Sequence, residues 1–298
     1  MQELKGIISA FVTPMYPGEE INEAELKNQV ERQISAGAAA VFCGGTNGEG
    51  YALSFEEKLR ITALTAEAAA GRVPVLSGTG CVTTRETIAL SRAAAEHGAD
   101  GVSVVLPYFA AASQEELYRH YMSVADAVSV PVIIYNIPAR TGNCIEPETA
   151  ARLAEHPNIY GIKDSSGDFN RVCAYIAVGG DKLRVYCGTD SLILASLQKG
   201  AAGAISAVTN ILPEMVYSIY RNFVSGNLDA AEAAQRGIQP IRECFKLGNP
   251  NTVVKRATEQ MGHPVGKPRA PFCVLSDAAD AAIADTIAQH YTQYLKRE

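Results

Sequence analysis

The sequence predicts an α/β protein, a single (β/α)8 barrel of the TIM type with a C-terminal helical extension. Three observations lead there. Short, β-rich apolar runs alternate with longer Ala-, Leu- and Glu-rich segments of helical period, the pattern of repeated strand-helix units around a parallel sheet. Eight such runs occur before the pattern turns wholly helical. The chain has 298 residues, enough for one barrel of about 250 residues and a short addition. A doubly wound open sheet is the rival arrangement, but the count of eight, with no second domain left over, favours closure.

The strand-like runs are Gly6 to Pro14, Ala40 to Gly44, Val73 to Gly78, Gly101 to Pro107, Val130 to Pro138, Ile159 to Lys163, Leu183 to Gly188 and Gly203 to Val208. Between them the helical period predicts helices over Glu23 to Ala36, Ser54 to Ala70, Thr84 to His97 and Gln114 to Ala127. Gly37-Ala38, Gly98-Ala99 and Gly200-Ala201 each close a helical run just ahead of a strand, where glycine can take the left-handed conformation that ends a helix. After the eighth unit come Asp229 to Leu247, a segment starting near Asn251, and Ser276 to Lys296, interrupted by the Pro264-Val265-Gly266-Lys267-Pro268 linker. The expected division is a catalytic barrel over residues 1–225 and a helical lobe over 226–298.

Composition narrows the function. A hydrophobic fraction of 47% with 19% charged residues suits a globular chain with a large core. The net charge of -6 is spread without acidic or basic blocks, which argues against nucleic acid or an anionic membrane as partner and leaves small molecules. No apolar stretch approaches the ~20 residues of a membrane span, and the apolar run near the N-terminus is too short for a signal peptide. Seven cysteines without a C-x-x-C pair read as buried thiols in a reducing compartment, so a cytoplasmic location is expected. The five histidines show no H-E-x-x-H or paired spacing, so no metal is expected. The chain also lacks the G-x-S-x-G elbow of a serine hydrolase, a G-x-G-x-x-G fingerprint and a P-loop.

In such barrels the chemistry sits at the C-terminal ends of the strands. The second strand runs into Gly44-Gly45-Thr46-Asn47-Gly48-Glu49-Gly50, where glycines let backbone N–H groups face an anion such as a carboxylate; a tight turn capped by Thr or Asn is equally consistent. The fifth ends in Tyr135-Asn136-Ile137-Pro138-Ala139-Arg140-Thr141-Gly142, which supplies a phenol able to relay protons and a guanidinium able to clamp a carboxylate. Taken alone, Tyr135 reads first as an aromatic filling the barrel layer and Arg140 as a surface salt bridge. The sixth ends in Gly161-Ile162-Lys163-Asp164, and a lysine at the end of an apolar strand inside a barrel is unusual. Desolvation there favours the neutral amine that attacks a keto carbonyl; the alternative is a lysine reaching out to Asp164 or Glu49.

These three strand-end motifs, in this order, resemble the dihydrodipicolinate synthase and N-acetylneuraminate lyase superfamily of pyruvate-dependent class I aldolases. The similarity runs over essentially the whole chain, including Ser9 to Pro14, Gly188-Thr189-Asp190, Gly203 to Ser206 and Asn249 to Lys255. The resemblance implies Lys163 as the Schiff-base lysine and Tyr135 as the proton-relaying phenol. It assigns Thr46 and the neighbouring Asn47 backbone to the keto-acid carboxylate, and Gly188 and Ile205 to the pocket. Arg140 would hold an acidic substrate tail. No cofactor is implied beyond the covalent lysine imine. The implied partners are pyruvate, a small aldehyde-derived compound, and further copies of the chain in a homotetramer built as a dimer of dimers.

The match departs from the synthases at two places. Asn47 stands where they carry a second threonine, and Phe109 where a tyrosine enters the neighbouring subunit's site. The expected activity is therefore a 2-keto acid aldolase or lyase, with dihydrodipicolinate synthesis as the runner-up. Dehydration of a 2-keto-3-deoxy sugar acid and a keto-acid sensor without turnover are further alternatives.

Overall fold

In the computed structural model, which describes residues 4–296, eight parallel strands follow one another around a closed barrel. They are β1 (Gly6–Ala10), β2 (Ala40–Cys43), β3 (Val75–Gly78), β4 (Gly101–Val105), β5 (Val132–Asn136), β6 (Ile159–Asp164), β7 (Arg184–Cys187) and β8 (Gly203–Ser206), and β8 pairs with β1 to close the ring. The expected fold class is the one observed. Each strand is buried on both faces, which is why the strands read as apolar runs. In β5, Val132 and Ile134 pack outward against the helices with Leu117, Tyr121 and Val124, whereas Ile133 joins Phe42, Leu76, Tyr186 and Ile205 inside the barrel.

The strands are shorter than the apolar runs. The ladders of β1, β4 and β5 stop at Ala10, Val105 and Asn136, not at Pro14, Pro107 and Pro138. Proline has no N–H to give a ladder; Pro14 and Pro107 lie in loops at the rim, and Pro138 starts a short helix. β6 instead runs one residue further than expected, to Asp164.

The helices of the first four units, α1 (Glu23–Ala36), α2 (Phe55–Ala69), α3 (Thr84–Glu96) and α4 (Gln114–Ala127), match the helical periods within a residue or two. Ser54 and Ser113 each cap a helix through a reciprocal box with Glu57 and Glu116. Gly37, Gly98 and Gly200 all take positive φ, between 93° and 107°, as their position ahead of a strand predicts. The later units use α5 (Pro138–Thr141), α6 (Pro147–Leu153), α7 (Phe169–Gly179), α8 (Ile193–Gln198) and α9 (Pro213–Val224).

The C-terminal region departs from expectation at two points: the last helix ends at His290, followed by a 3-10 turn over Thr292–Tyr294, instead of running to Lys296, and an earlier stretch is broken. The stretch Asp229 to Leu247 is not one helix but α10 (Leu228–Gly237), α11 (Gln239–Glu243) and a 3-10 turn. Pro240 explains the break, since it can begin a helix but cannot accept a place inside one. Then come α12 (Pro250–Gln260) and α13 (Asp277–His290). The chain passes residue 225 in the turn between α9 and α10. One hydrophobic cluster runs across that point, joining Val208, Ile211 and Leu212 to Ile241, Val253, Val254, Ala257 and Ile283. The lobe is thereby fixed to the β8 side of the barrel. Among the described residues no helix is long and apolar enough to cross a membrane.

Candidate active site

Alternation along β6 decides where the lysine points. Ile162 joins the outer helical layer, so Lys163, one residue on, faces the barrel interior. It pairs in register with Tyr135 on β5 and Tyr186 on β7. Lys163 is 4% exposed, and its Nζ lies 4.1 Å from the centroid of the Tyr135 ring and 5.5 Å from that of Phe42. Neither acid that could have drawn it outward does so. Asp164 accepts hydrogen bonds from Asn136 Nδ2 at 2.7 Å and Ser166 Oγ at 2.6 Å. Glu49 is engaged elsewhere, 2.6 Å from Lys255. Burial pushes Asp164 above the usual carboxylate range, while the Ser166 and Asn136 hydrogen bonds pull it back.

The Tyr135 hydroxyl lies 3.2 Å from Thr46 Oγ1, which joins the phenol to the glycine-rich loop after β2. In that loop Gly50 passes so close to Gly44 that a Cβ on Gly50 would stand 2.0 Å from the Gly44 oxygen, so the turn excludes any side chain there. The N–H groups of Thr46 and Asn47 carry no hydrogen bond within the described residues, so they are available to an anion.

Above Lys163 opens a cavity of about 200 Å³ lined by Thr46, Tyr51, Lys58, Tyr135 and Arg140, with Tyr108 and Phe272 among the aromatic walls. Its lining carries two cations, Lys58 and Arg140, and no aspartate or glutamate, so its field favours anionic ligands. Thr46, Tyr135 and Arg140 thus meet as expected. Lys163 lies beneath two of the lining rings, those of Phe42 and Tyr135.

Three residues expected to bind substrate do not line this cavity. Asn47 turns its side chain to β1, where Nδ2 donates to the Ala10 carbonyl at 3.1 Å. Ile205 is buried in the barrel-filling cluster with Phe42 and Tyr186, because its place on β8 points it inward below the rim. Gly188 lies against the lysine: an added Cβ would stand 3.0 Å from Lys163 Cε and 2.0 Å from Ser165 Oγ, so glycine there leaves room for the lysine stem.

Phe109, the position of the expected intersubunit tyrosine, is 99% exposed and held at φ 78°. Sequence reasoning missed Lys58, Tyr51 and Phe272 as cavity residues, and it did not connect Asn251 and Lys255 with the site. Lys255, a cation in the apolar setting Thr252-Val253-Val254-Lys255, carried the same signal as Lys163. Among the described residues no group of three or more His, Cys, Asp or Glu side chains is placed to hold a metal.

Comparisons with known proteins show which family the chain belongs to. The model of the dihydrodipicolinate synthetase family matches residues 3–290. A 4-hydroxy-tetrahydrodipicolinate synthase of Geotalea daltonii is 40% identical over 274 residues, covering 92% of this chain and 94% of its own. One of Hyphomonas neptunium is also 40% identical, over 95% of this chain and 97% of its own. Among solved structures, the chloride-inhibited dihydrodipicolinate synthase of Acinetobacter baumannii complexed with pyruvate superposes with a TM-score of 0.93 at 34% identity, over 96% of this chain and 99% of that one. The dihydrodipicolinate synthase of Aquifex aeolicus gives 0.93 at 32%, over 98% and 100%. With its closed barrel, its buried strand-end lysine and these full-length matches, the chain belongs to the dihydrodipicolinate synthetase family.

Proposed function

We propose that Lys163 forms a Schiff base with pyruvate and that the resulting enamine adds to, or is released from, a small aldehyde-derived partner. The reaction class, a class I aldolase-type lyase, comes with family membership. The observation that carries the residue assignment is Lys163 itself: buried, without a carboxylate partner among the described residues, and packed on the Tyr135 ring at 4.1 Å. The Lys163 amine attacks C2 of the keto acid and water leaves. The cationic imine then accepts the electron pair from a C3–H or C3–C4 bond, so no further cofactor is called for. Tyr135, hydrogen-bonded to Thr46, moves the protons. Thr46 and its neighbouring N–H groups receive the keto-acid carboxylate, and Arg140 holds an acidic tail on the second substrate.

The assembly is a homotetramer in the cytoplasm. An apolar Phe109 ring held clear of its own chain near the cavity suits a contact with a second copy.

A second reading of the substrate, synthesis of dihydrodipicolinate or its 4-hydroxy-tetrahydro form from pyruvate and aspartate semialdehyde, is favoured by relatives named 4-hydroxy-tetrahydrodipicolinate synthase at 37–40% identity. The loss of the tyrosine hydroxyl at Phe109 favours the aldolase reading instead. Pyruvate with borohydride is expected to inactivate the enzyme and to leave a pyruvate-derived mass on Lys163; an adduct on another residue overturns the assignment. Specificity constants for aspartate semialdehyde condensation, set against cleavage of 4-hydroxy-2-oxoglutarate and 2-keto-3-deoxygluconate, then separate the two substrate readings.

A further inference from the structure

The loop that carries Thr46 is tied down by a helix more than two hundred residues away in sequence. Asn251, in the first turn of α12, donates from Nδ2 to the Thr46 carbonyl at 2.6 Å and to the Tyr51 hydroxyl at 3.0 Å. One turn on, Lys255 Nζ lies 2.6 Å from Glu49 Oε1, with the two side chains 1% and 0% exposed. Lys255 also donates to the Lys267 carbonyl at 3.1 Å, and the other Glu49 oxygen accepts the Arg269 N–H at 2.9 Å. Glu49 itself takes a left-handed φ of 57°, a conformation a glutamate adopts only when its surroundings impose it.

Stability alone does not account for this arrangement. A buried ion pair contributes little beyond what a well-packed apolar pair of the same volume would. Asn251 moreover leaves its Oδ1 buried without a partner among the described residues, an arrangement that does not favour folding. What the arrangement does achieve is local: both α12 side chains act on residues 46 to 51, within three residues of Thr46 on one side and at Tyr51, which lines the cavity, on the other.

We propose that Asn251 and Lys255 are positioning residues for the keto-acid carboxylate. α12 holds the loop in the conformation that presents Thr46 Oγ1 to Tyr135 and turns the Thr46 and Asn47 N–H groups outward, so the C-terminal lobe is part of the active site. The inference rests on the assignment of Lys163 and Thr46 made above.

The test uses the full chain and the rate of borohydride trapping as a function of pyruvate concentration. In Asn251→Ala and Lys255→Met the half-saturating pyruvate concentration rises by about tenfold or more, while the limiting trapping rate changes by less than about threefold, the split expected when ground-state binding alone is lost. Lys255→Arg, which keeps the charge, recovers most of the loss. Folded variants that trap pyruvate with the wild-type half-saturation overturn the proposal. Should Lys255→Met fail to fold, Asn251→Ala decides alone, since it leaves the ion pair in place. Amide exchange supplies a readout independent of the chemistry: residues 45–50 exchange faster in Asn251→Ala while β5 and β6 do not, and unchanged exchange in the loop overturns the clamp. A wild-type enzyme that pyruvate and borohydride do not modify refutes the Schiff-base reading instead, and the exchange result still judges the clamp.

Discussion

Lys163 and Lys255 are both buried, at 4% and 1% exposure, and both follow apolar residues in regular structure, yet their surroundings are opposite. Lys255 meets Glu49 at 2.6 Å. Burial pulls the Lys255 ammonium below its ordinary range, and the Glu49 charge and hydrogen bond restore part of the loss. Lys163 meets aromatic rings, and the carboxylate beside it in sequence is occupied by Asn136 and Ser166. A buried amine with a carboxylate partner is a structural cation; one without is free to act as a nucleophile. Burial alone therefore does not mark a catalytic lysine. The discriminating feature is where the nearest acid spends its hydrogen bonds.

The comparison predicts opposite phenotypes for the same substitution. Lys163→Met lowers turnover by at least about 10⁴-fold, the scale of losing a covalent nucleophile. It leaves the urea midpoint unchanged or raised, because an apolar chain of similar length replaces an unpaired amine. Lys255→Met destabilises the protein by about 3–5 kcal/mol, since it leaves Glu49 buried without its cation. Adding Glu49→Gln to Lys255→Met recovers much of that stability. Denaturation curves for the three variants break the comparison if Lys163→Met is the less stable of the two single variants.

Tyr135→Phe sharpens the catalytic side. It keeps the ring that packs on Lys163 and removes the hydroxyl that meets Thr46, so turnover falls by about 10²-fold while the protein still traps pyruvate. Turnover within a factor of about three of wild type would move the proton relay to another group.

This contrast also sets what could be read from the chain. The meeting of Lys163 with Tyr135 and the Gly44 to Gly50 turn was legible because each lies at the end of a strand, and a barrel brings all strand ends to one rim. The role of Lys255 was not legible. Its partner is on β2's loop, and nothing local to α12 says which barrel loop a helix after residue 250 will touch. The same reason hid Phe272 and Asn251. Asn47 and Ile205 sit at the strand ends as expected, but their side chains turn away from the cavity, because a side chain's direction depends on one residue of register and on competing acceptors such as the Ala10 carbonyl; the Asn47 backbone N–H remains available to an anion at the loop. The break at Pro240 was a local signal that the helical period of Asp229 to Leu247 overrode.

A third buried base tests the rule away from both sites. His120 on α4 donates to or accepts from Thr84 Oγ1 through Nδ1 at 2.9 Å, while its Nε2 is buried without a partner among the described residues. Burial lowers its pKa from 6.5 to about 4, with no acid to offset it. The sign follows from which state binds the proton. Below pH 6.5 the unfolded chain protonates this imidazole and the folded chain does not until about pH 4, so the stability His120 allows is full above 6.5 and is lost as pH falls through that window. Between pH 7 and pH 5 the contribution amounts to about 2 kcal/mol, the smallest of the effects considered. Asp164 and Asp190 are raised by burial and act in the opposite direction, so the whole-protein curve does not isolate the histidine. The difference between wild type and His120→Asn does, because asparagine can keep a hydrogen bond to Thr84 and does not titrate there. The variant is expected to lose about 2 kcal/mol less stability than wild type over that interval. Parallel curves for the two proteins would show that the buried His120 nitrogen takes up its proton in the folded chain as readily as in the unfolded one, so that burial without an acid does not by itself keep a base neutral in this fold.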